Sequence, residues 1–277
     1  MTHSDWGDWL LADIESASPT GIAAWYLGCN GFALKGPEGT VLFIDPYLGL
    51  GDPPRTVRMI PVPFSPEDVG AADAIFATHE HSDHVHAASQ APIMEQTGAT
   101  FYGPSASVAV TTDEQWSELW EIEPEQFVTV ETGDTLDIAE FTIQVLPAND
   151  PDAQEPVSYL VEYDGATFFH GGDTKPTSSF ESVGAEYDID VGALAFGSVG
   201  TIPDKETGEP SRTKWYSDEN EIVEAARALE LERLLPTHWD MWRGLTADPT
   251  VLHNHIHSFA YPRELEIARI GDRIDIE

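Results

Sequence analysis

The chain has 277 residues, of which 41% are hydrophobic and 10% aromatic, enough for a sizeable core and too many for intrinsic disorder. Its 49 Asp and Glu stand against 13 Lys and Arg, a formal net charge of -36. That argues against a nucleic-acid partner, because phosphate backbones are gripped by clustered Lys and Arg. No run of 18 apolar residues occurs, so no membrane span is expected.

The acids are scattered rather than gathered in a tail, and only four basic residues are lysines: Lys35, Lys175, Lys205 and Lys214. Such a surface predicts a halophilic protein kept soluble in the molar salt of a salt-in cytoplasm. At about 1 M salt the screening length is only about 3 Å, so local groups outweigh the global field. The single cysteine, Cys29, rules out an internal disulfide and fits a reducing cytoplasm. It reads as a buried packing residue. The opening "MTHSDWGDWLLADIESAS" lacks a basic n-region and a long apolar h-region, so it does not read as a signal peptide.

In chain order, 5–16 reads as a short helix. Ile22–Leu27, Phe32–Lys35 and Val41–Ile44 read as strands split by Gly-rich turns. Residues 51–70, rich in Pro and Gly, read as a long irregular loop. "ADAIFAT" is a buried strand that runs into "THEHSDHVH". The segment "DHVHAASQAPIMEQTG" is expected to be a helix interrupted near Pro92 and closed by Gly98. Phe127–Val130, Thr135–Ile138, Phe141–Leu146, Ser158–Tyr163 and Thr167–His170 follow as strands, the last two joined by a "DG" turn. "DIDVGALAFG" is a further strand. "SDENEIVEAARALELE" is a helix with Ser217 as its cap. "RLLPTHWD" is a strand ending in a loop, "DPTVLHNHIHSFAY" a helix, and "ELEIARIGDRIDIE" a terminal hairpin. Two groups of strands with helices between and after them predict an α/β (α+β) fold of two sheets with helices outside.

Four of the 10 histidines crowd into "THEHSDHVH". His79, His81, Asp83 and His84 leave a buried strand together. Alternation puts His79 and His81 on one side of the extended segment, and the turn into the helix brings Asp83 and His84 back toward them. Imidazole and carboxylate suit Zn, Mn or Fe. Four such groups exceed what one tetrahedral ion takes from a single loop, so two adjacent divalent metal ions, Mn or Zn, are expected. The missing ligands would lie at other strand ends: Asp150 in "LPAND", Asp173 in "HGGDT" and His238 in "PTHWD".

With H-x-H-x-D-H, then "GDT", then "PTHWD", the chain resembles the metallo-β-lactamase superfamily. The opening "WYLGCNGFALKGPEGTVLFIDPYLG" is similar to that superfamily's first hairpins. "ATHEHSDH", "GPSASV", "HGGDT", "ALAFGSVG" and "PTHWDMWRGLTADP" resemble its L-ascorbate-6-phosphate lactonase group. The resemblance implies a four-layer αββα sandwich, two mixed sheets flanked by helices, as one domain over 1–277. It implies that His79, His81 and Asp150 hold one metal, that Asp83, His84 and His238 hold the other, and that Asp173 bridges them. Asp83 would also be the catalytic proton shuttle, and Asp45 in "FIDPY" would orient a ligand histidine. The superfamily's usual histidine between the cluster and the "GDT" aspartate is missing. The lactonase group has an Asp there, which points to Asp150 and shifts preference toward Mn. A plain Asn-Asp-Pro turn is the competing reading of Asp150.

Lys175, Arg212, Lys214 and Arg243 read either as binders of a substrate phosphate or as ordinary surface partners of nearby acids. Trp239 and Trp242 read as core or as pocket walls. His86 reads as a helix-surface residue, and His253, His255 and His257 as structural or solvated. The functional expectation is a hydrolase opening a lactone or ester of a small, possibly phosphorylated, sugar acid, without a nucleic-acid or membrane partner. The alternatives are a small-molecule or lipid phosphodiesterase on the same fold and a metal-binding non-enzyme. The resemblance also implies a homo-oligomer.

Overall fold

The computed structural model of the protein describes residues 6–277. Its first strands are β1 (Ile22–Gly28), β2 (Gly31–Lys35), β3 (Val41–Ile44), β4 (Ala74–Phe76), β5 (Thr100–Gly103) and β6 (Phe127–Thr129). Then come β7 (Thr135–Ile138), β8 (Phe141–Pro147), β9 (Val157–Tyr163), β10 (Ala166–His170) and β11 (Val191–Ala195). The last are β12 (Gly200–Pro203), β13 (Pro210–Thr213), β14 (Arg233–Thr237), β15 (Glu264–Leu265) and β16 (Arg273–Ile276). One seven-stranded sheet has the order β16-β1-β2-β3-β4-β5-β6, the other β15-β14-β11-β10-β9-β8-β7, and β12-β13 is a separate ribbon. Both large sheets mix parallel and antiparallel pairs.

Side-chain alternation along β1 explains the layers. Ala23, Trp25 and Leu27 face one core, which also holds Leu10 and Leu11 of helix α1 (Trp9–Ser16) and Ile93 and Met94 of α2 (Ala87–Thr97). Ile22, Ala24 and Tyr26 face a second core shared with Ile143, Tyr159 and Phe168 of the other sheet. Helices α3 (Ser105–Asp113) and α4 (Trp116–Leu119) follow in chain order. A third core packs Phe180 of α5 (Phe180–Glu186), Ile222 of α6 (Glu219–Ala228) and Leu252 of α7 (Leu252–Ile256) on the outer face of the second sheet. Three cores between four layers are the expected αββα sandwich. Lys35 is buried along β2, and its Nζ donates to the carbonyls of Ile14 (2.8 Å) and Glu15 (2.7 Å), tying down the end of α1.

Several local expectations are corrected. The opening helix forms over Trp9–Ser16, and Asp5 lies outside the described residues. Pro92 sits in the middle of a continuous α2, which gives up the one bond that an N–H at this position would donate to Ala88 O. Gly98 closes α2 in the left-handed region, as expected. The cap of α6 is Asp218, not Ser217; its Oδ1 accepts from Asn220 N (3.0 Å) and Glu221 N (3.1 Å). The terminal "hairpin" does not form, because β15 pairs with β14 in one sheet and β16 with β1 in the other. Local pattern cannot distinguish two strands that pair with each other from two that pair elsewhere. "DPTVLHNHIHSFAY" is a 3-10 turn leading into the short α7, with His253 and His257 exposed. The polar "GEPSRT" contains β13; this strand, α3, α4, α5 and β5 lie in segments to which the sequence reading assigns no element.

Candidate metal centre

The site forms where strand ends from both sheets meet. The His79–His84 loop follows β4, Asp45 follows β3, Asp150 follows β8, Asp173 follows β10 and His238 follows β14. The two sheets are pinned beside it by Val157 N donating to Thr78 O (3.0 Å) and Tyr159 Oη donating to Ala77 O (2.8 Å). Asp45, His238 and Cys29 all adopt positive φ (46°, 64° and 58°). Such backbone costs about 1–2 kcal/mol per non-glycine residue, and here tertiary bonds hold it. Asp45 N donates to Phe76 O, and His238 N donates to Cys29 O, both at 2.9 Å. Gly172, also at positive φ (60°), lies against Thr78, where an added Cβ would come within 2.8 Å of Oγ1. The glycine before Asp173 therefore lets the two loops approach.

The seven expected ligands converge. His79 Nε2 and His81 Nδ1 lie 2.9 Å apart, and each faces Asp150 Oδ2, at 3.5 and 3.6 Å. His84 Nε2 lies 3.4 Å from Asp173 Oδ2, while His238 Nε2 lies 3.4 Å from Asp173 Oδ1 and 3.5 Å from Asp83 Oδ2. Asp173 thus presents one oxygen to each side. Three donor groups result: His79 with His81 and Asp150, His79 with His84 and Asp173, and Cys29 with Asp83 and His238. His84 accordingly sits nearer the His79 side than the expected assignment to the His238 side.

The donors fit a cation. Two ligands about 2.0–2.1 Å from a tetrahedral metal stand about 3.4 Å apart, and most of the separations above are of that size. His84 Nε2 is fully buried with no hydrogen-bond partner. Among the described residues, the ion pairs made by Asp45, Asp83, Asp150 and Asp173 are to histidines alone, so no Lys or Arg compensates these four acids. Buried carboxylates without a counter-charge are costly.

Electrostatics follow from this crowding. Burial, then the neighbouring imidazoles, pulls His79 well below the usual histidine range. Burial also pulls on His84, but the Asp45 and Asp173 carboxylates outweigh it and hold His84 well above that range. Burial, then Asp173, pushes Asp150 up. For Asp173 burial acts upward, yet His238 and His84 bring it down. Asp45 supports the cluster from behind: Oδ2 is 2.7 Å from His84 Nδ1, and its oxygens accept from Thr78 N (2.9 Å) and Thr78 Oγ1 (2.7 Å).

A cavity of about 740 Å³ opens over His81, Asp83, Asp150 and Asp173. Tyr47, Trp215, Tyr216 and Trp242 form its aromatic walls, and its two basic lining residues are Arg55 and Lys205. The four basic residues singled out in the sequence, Lys175, Arg212, Lys214 and Arg243, do not line it. Lys214 instead pairs with Asp218 (2.7 Å) and Glu221 (2.8 Å) at the start of α6. Arg55 lies over the Trp215 ring (5.5 Å), with its Nε buried and unpartnered. His86 is not a free helix-surface residue: it lines the cavity, bonds Ser89 Oγ through Nδ1 (2.7 Å) and meets Tyr47 edge-on. Trp242 is a buried cavity wall, whereas Trp239 packs against the third core. Tyr216 stacks on His238 with ring centroids 4.1 Å apart. Sequence reading missed Tyr47, Arg55, Lys205 and Tyr216; only Tyr47, next to the Asp-Pro pair, lay beside a recognised motif.

An αββα sandwich with a His/Asp cluster at the facing strand ends defines a protein of the metallo-β-lactamase fold. The family model described as beta-lactamase superfamily domain matches residues 40–239, and the chain belongs to that family. A curated relative from Escherichia fergusonii, described as "Probable L-ascorbate-6-phosphate lactonase UlaG", is 27% identical over 90% of this chain and 78% of its own length. Among solved structures, Igni18, a metallo hydrolase of Ignicoccus hospitalis, aligns with a TM-score of 0.67 at 20% identity, covering 92% of this chain and 98% of its own. The metallo-beta-lactamase fold protein YhfI of Bacillus subtilis aligns at 0.64 and 15%, covering 91% and 98%. At those identities the likeness establishes the fold alone. Among the described residues no helix is long and apolar enough to cross a membrane.

Proposed function

We propose that the protein is a metal-dependent hydrolase that opens a lactone or related ester of a small anionic sugar acid. The observation that carries the reading is Asp173, whose two oxygens face His84 and His238 from between the donor groups beneath an open cavity. The curated relatives described as lactonases support it. Two divalent ions bound here would supply Lewis acidity at a carbonyl or phosphoryl oxygen and a water acidic enough to deprotonate near neutral pH.

The chain's own side chains do the rest. Asp45 fixes the ring of His84, and Asn30 Nδ2 donates to Asp173 Oδ1 (3.3 Å). Asp83, at the cavity wall, is placed to carry a proton to the leaving oxygen. Arg55 and Lys205 supply the cavity's positive charge for a carboxylate or phosphate tail, and the aromatic walls hold the ring of the substrate. The same pair of cations would also suit a small phosphodiester, the second reading. The acidic surface belongs, in this proposal, to a halophilic cytoplasmic enzyme.

The test is metal content in molar salt, followed by turnover of lactones, phosphodiesters and thioesters. Two ions per chain with lactone opening is the expected result. Phosphodiester cleavage alone would favour the second reading, bound metal with no turnover would favour a binding protein, and absence of metal would overturn the proposal.

A further inference from the structure

The metal-centre reading above leaves one buried nucleophilic group without a role, the thiol of Cys29. We infer that Cys29 is a ligand of the centre, completing a three-donor group with Asp83 and His238. The inference rests on that reading and deepens it.

Cys29 Sγ lies 3.4 Å from His238 Nε2 and 3.9 Å from Asp83 Oδ2, with no exposure to solvent. A metal about 2.3 Å from sulfur and about 2.0–2.1 Å from nitrogen, with tetrahedral angles, separates those two donors by about 3.6 Å. The third edge of the group, from His238 Nε2 to Asp83 Oδ2 (3.5 Å), is of the same size. On the far side of Asp173, the buried Nε2 of His84 faces the other carboxylate oxygen at 3.4 Å.

The β1–β2 turn is fastened to the site rather than merely packed near it. Cys29 O accepts from His238 N (2.9 Å) and from Tyr26 Oη (2.9 Å). The next residue, Asn30, reaches Asp173 with Nδ2 and accepts from Thr237 Oγ1 (2.7 Å) through its side-chain oxygen. One turn therefore delivers the thiol to the His238 position and orients the carboxylate between the positions.

The consequence is asymmetry. His79, His81 and Asp150 offer nitrogen and oxygen, whereas Cys29, Asp83 and His238 include a soft sulfur. Thiolate favours Zn, Co or Fe over Mn at that position. The Mn preference inferred from Asp150 then applies to one position only.

The test is the absorption spectrum of the full chain loaded with Co(II) in molar salt. Two cobalt ions with a near-ultraviolet thiolate-to-cobalt charge-transfer band are expected. Cys29→Ser should remove the band, keep the visible d–d bands, and weaken one of the two cobalt sites at least about tenfold, since even residues outside the coordination shell are worth 10–100-fold. Two cobalt ions without the band in the unmodified chain would overturn the inference and leave the metal-centre reading standing. So would a serine variant with band and affinity unchanged. Failure to bind any cobalt would overturn both. The spectrum of the unmodified chain decides even where the variant fails to fold.

Discussion

Asp45 Oδ2 stands 2.7 Å from Nδ1 of His84, and neither side chain is exposed to solvent. The contact fixes the ring so that its other nitrogen faces Asp173. Asp45→Asn keeps the shape but removes the charge, and is expected to weaken metal binding by about 10–100-fold. Competition against a chelator measures this. Unchanged affinity would mean that Thr78 and packing alone orient His84.

Asp150 Oδ2 faces His79 and His81 at 3.5 and 3.6 Å and is the carboxylate that the metal-centre reading assigns to their ion. Asp150→Ala should lower the metal content from two ions per chain toward one, read by plasma mass spectrometry in high salt. The ion retained should be the one beside His238. Two ions in the variant would reduce "LPAND" to a turn.

Arg55 is the better candidate for the substrate tail than the basic residues singled out from sequence. Arg55→Ala should raise KM for an anionic substrate at least about tenfold, because hydrogen bonds to charged groups contribute about 1.5–3 kcal/mol. Lys214→Ala should leave KM unchanged, since Asp218 and Glu221 already occupy that ammonium. An effect of Lys214→Ala equal to that of Arg55→Ala would sink the assignment.

A net charge of -36 makes the folded chain repel itself at low salt. The melting temperature should rise steadily between about 0.1 M and 1 M KCl, over which the Debye length falls from about 10 to about 3 Å. Thermal unfolding across that series is the check, and a flat series would remove the case for halophily.

The Asp218 cap gives a pH-dependent stability. Burial acts upward on this carboxyl, but the hydrogen bond from Lys214 and the amides of α6 hold it below the ordinary aspartate value. Its contribution is therefore present above about pH 4, the unfolded value, and is lost as pH falls through the lower folded value. Asp218→Ala should cost about 1 kcal/mol at pH 7 and progressively less below about pH 4, measured by denaturant unfolding. A cost independent of pH would show that the cap acts without its charge.

The chemistry was legible in sequence because donor type and strand-end position are local properties. "THEHSDHVH", "HGGDT" and "PTHWD" each mark a polar cluster after an apolar run, and all seven expected ligands meet in the structure. The strand Ile22–Leu27, the "DG" turn at Asp164–Gly165 and the Gly98 stop were likewise written in short-range pattern.

What sequence could not decide was anything set by pairing between distant segments. β15 and β16 look like one hairpin but join different sheets, because register and partner depend on which edges remain open. Cys29 reads locally as a packing residue, since a lone thiol at a strand turn carries no mark of its neighbours. Only the meeting of the β1–β2 turn with the loop after β14 brings its sulfur to His238. For the same reason the cavity draws its positive charge from Arg55 and Lys205, on loops far apart in the chain, rather than from the basic residues nearest the motifs. Residue type sets which chemistry is available, and the closure of two sheets over one another sets which residues share it.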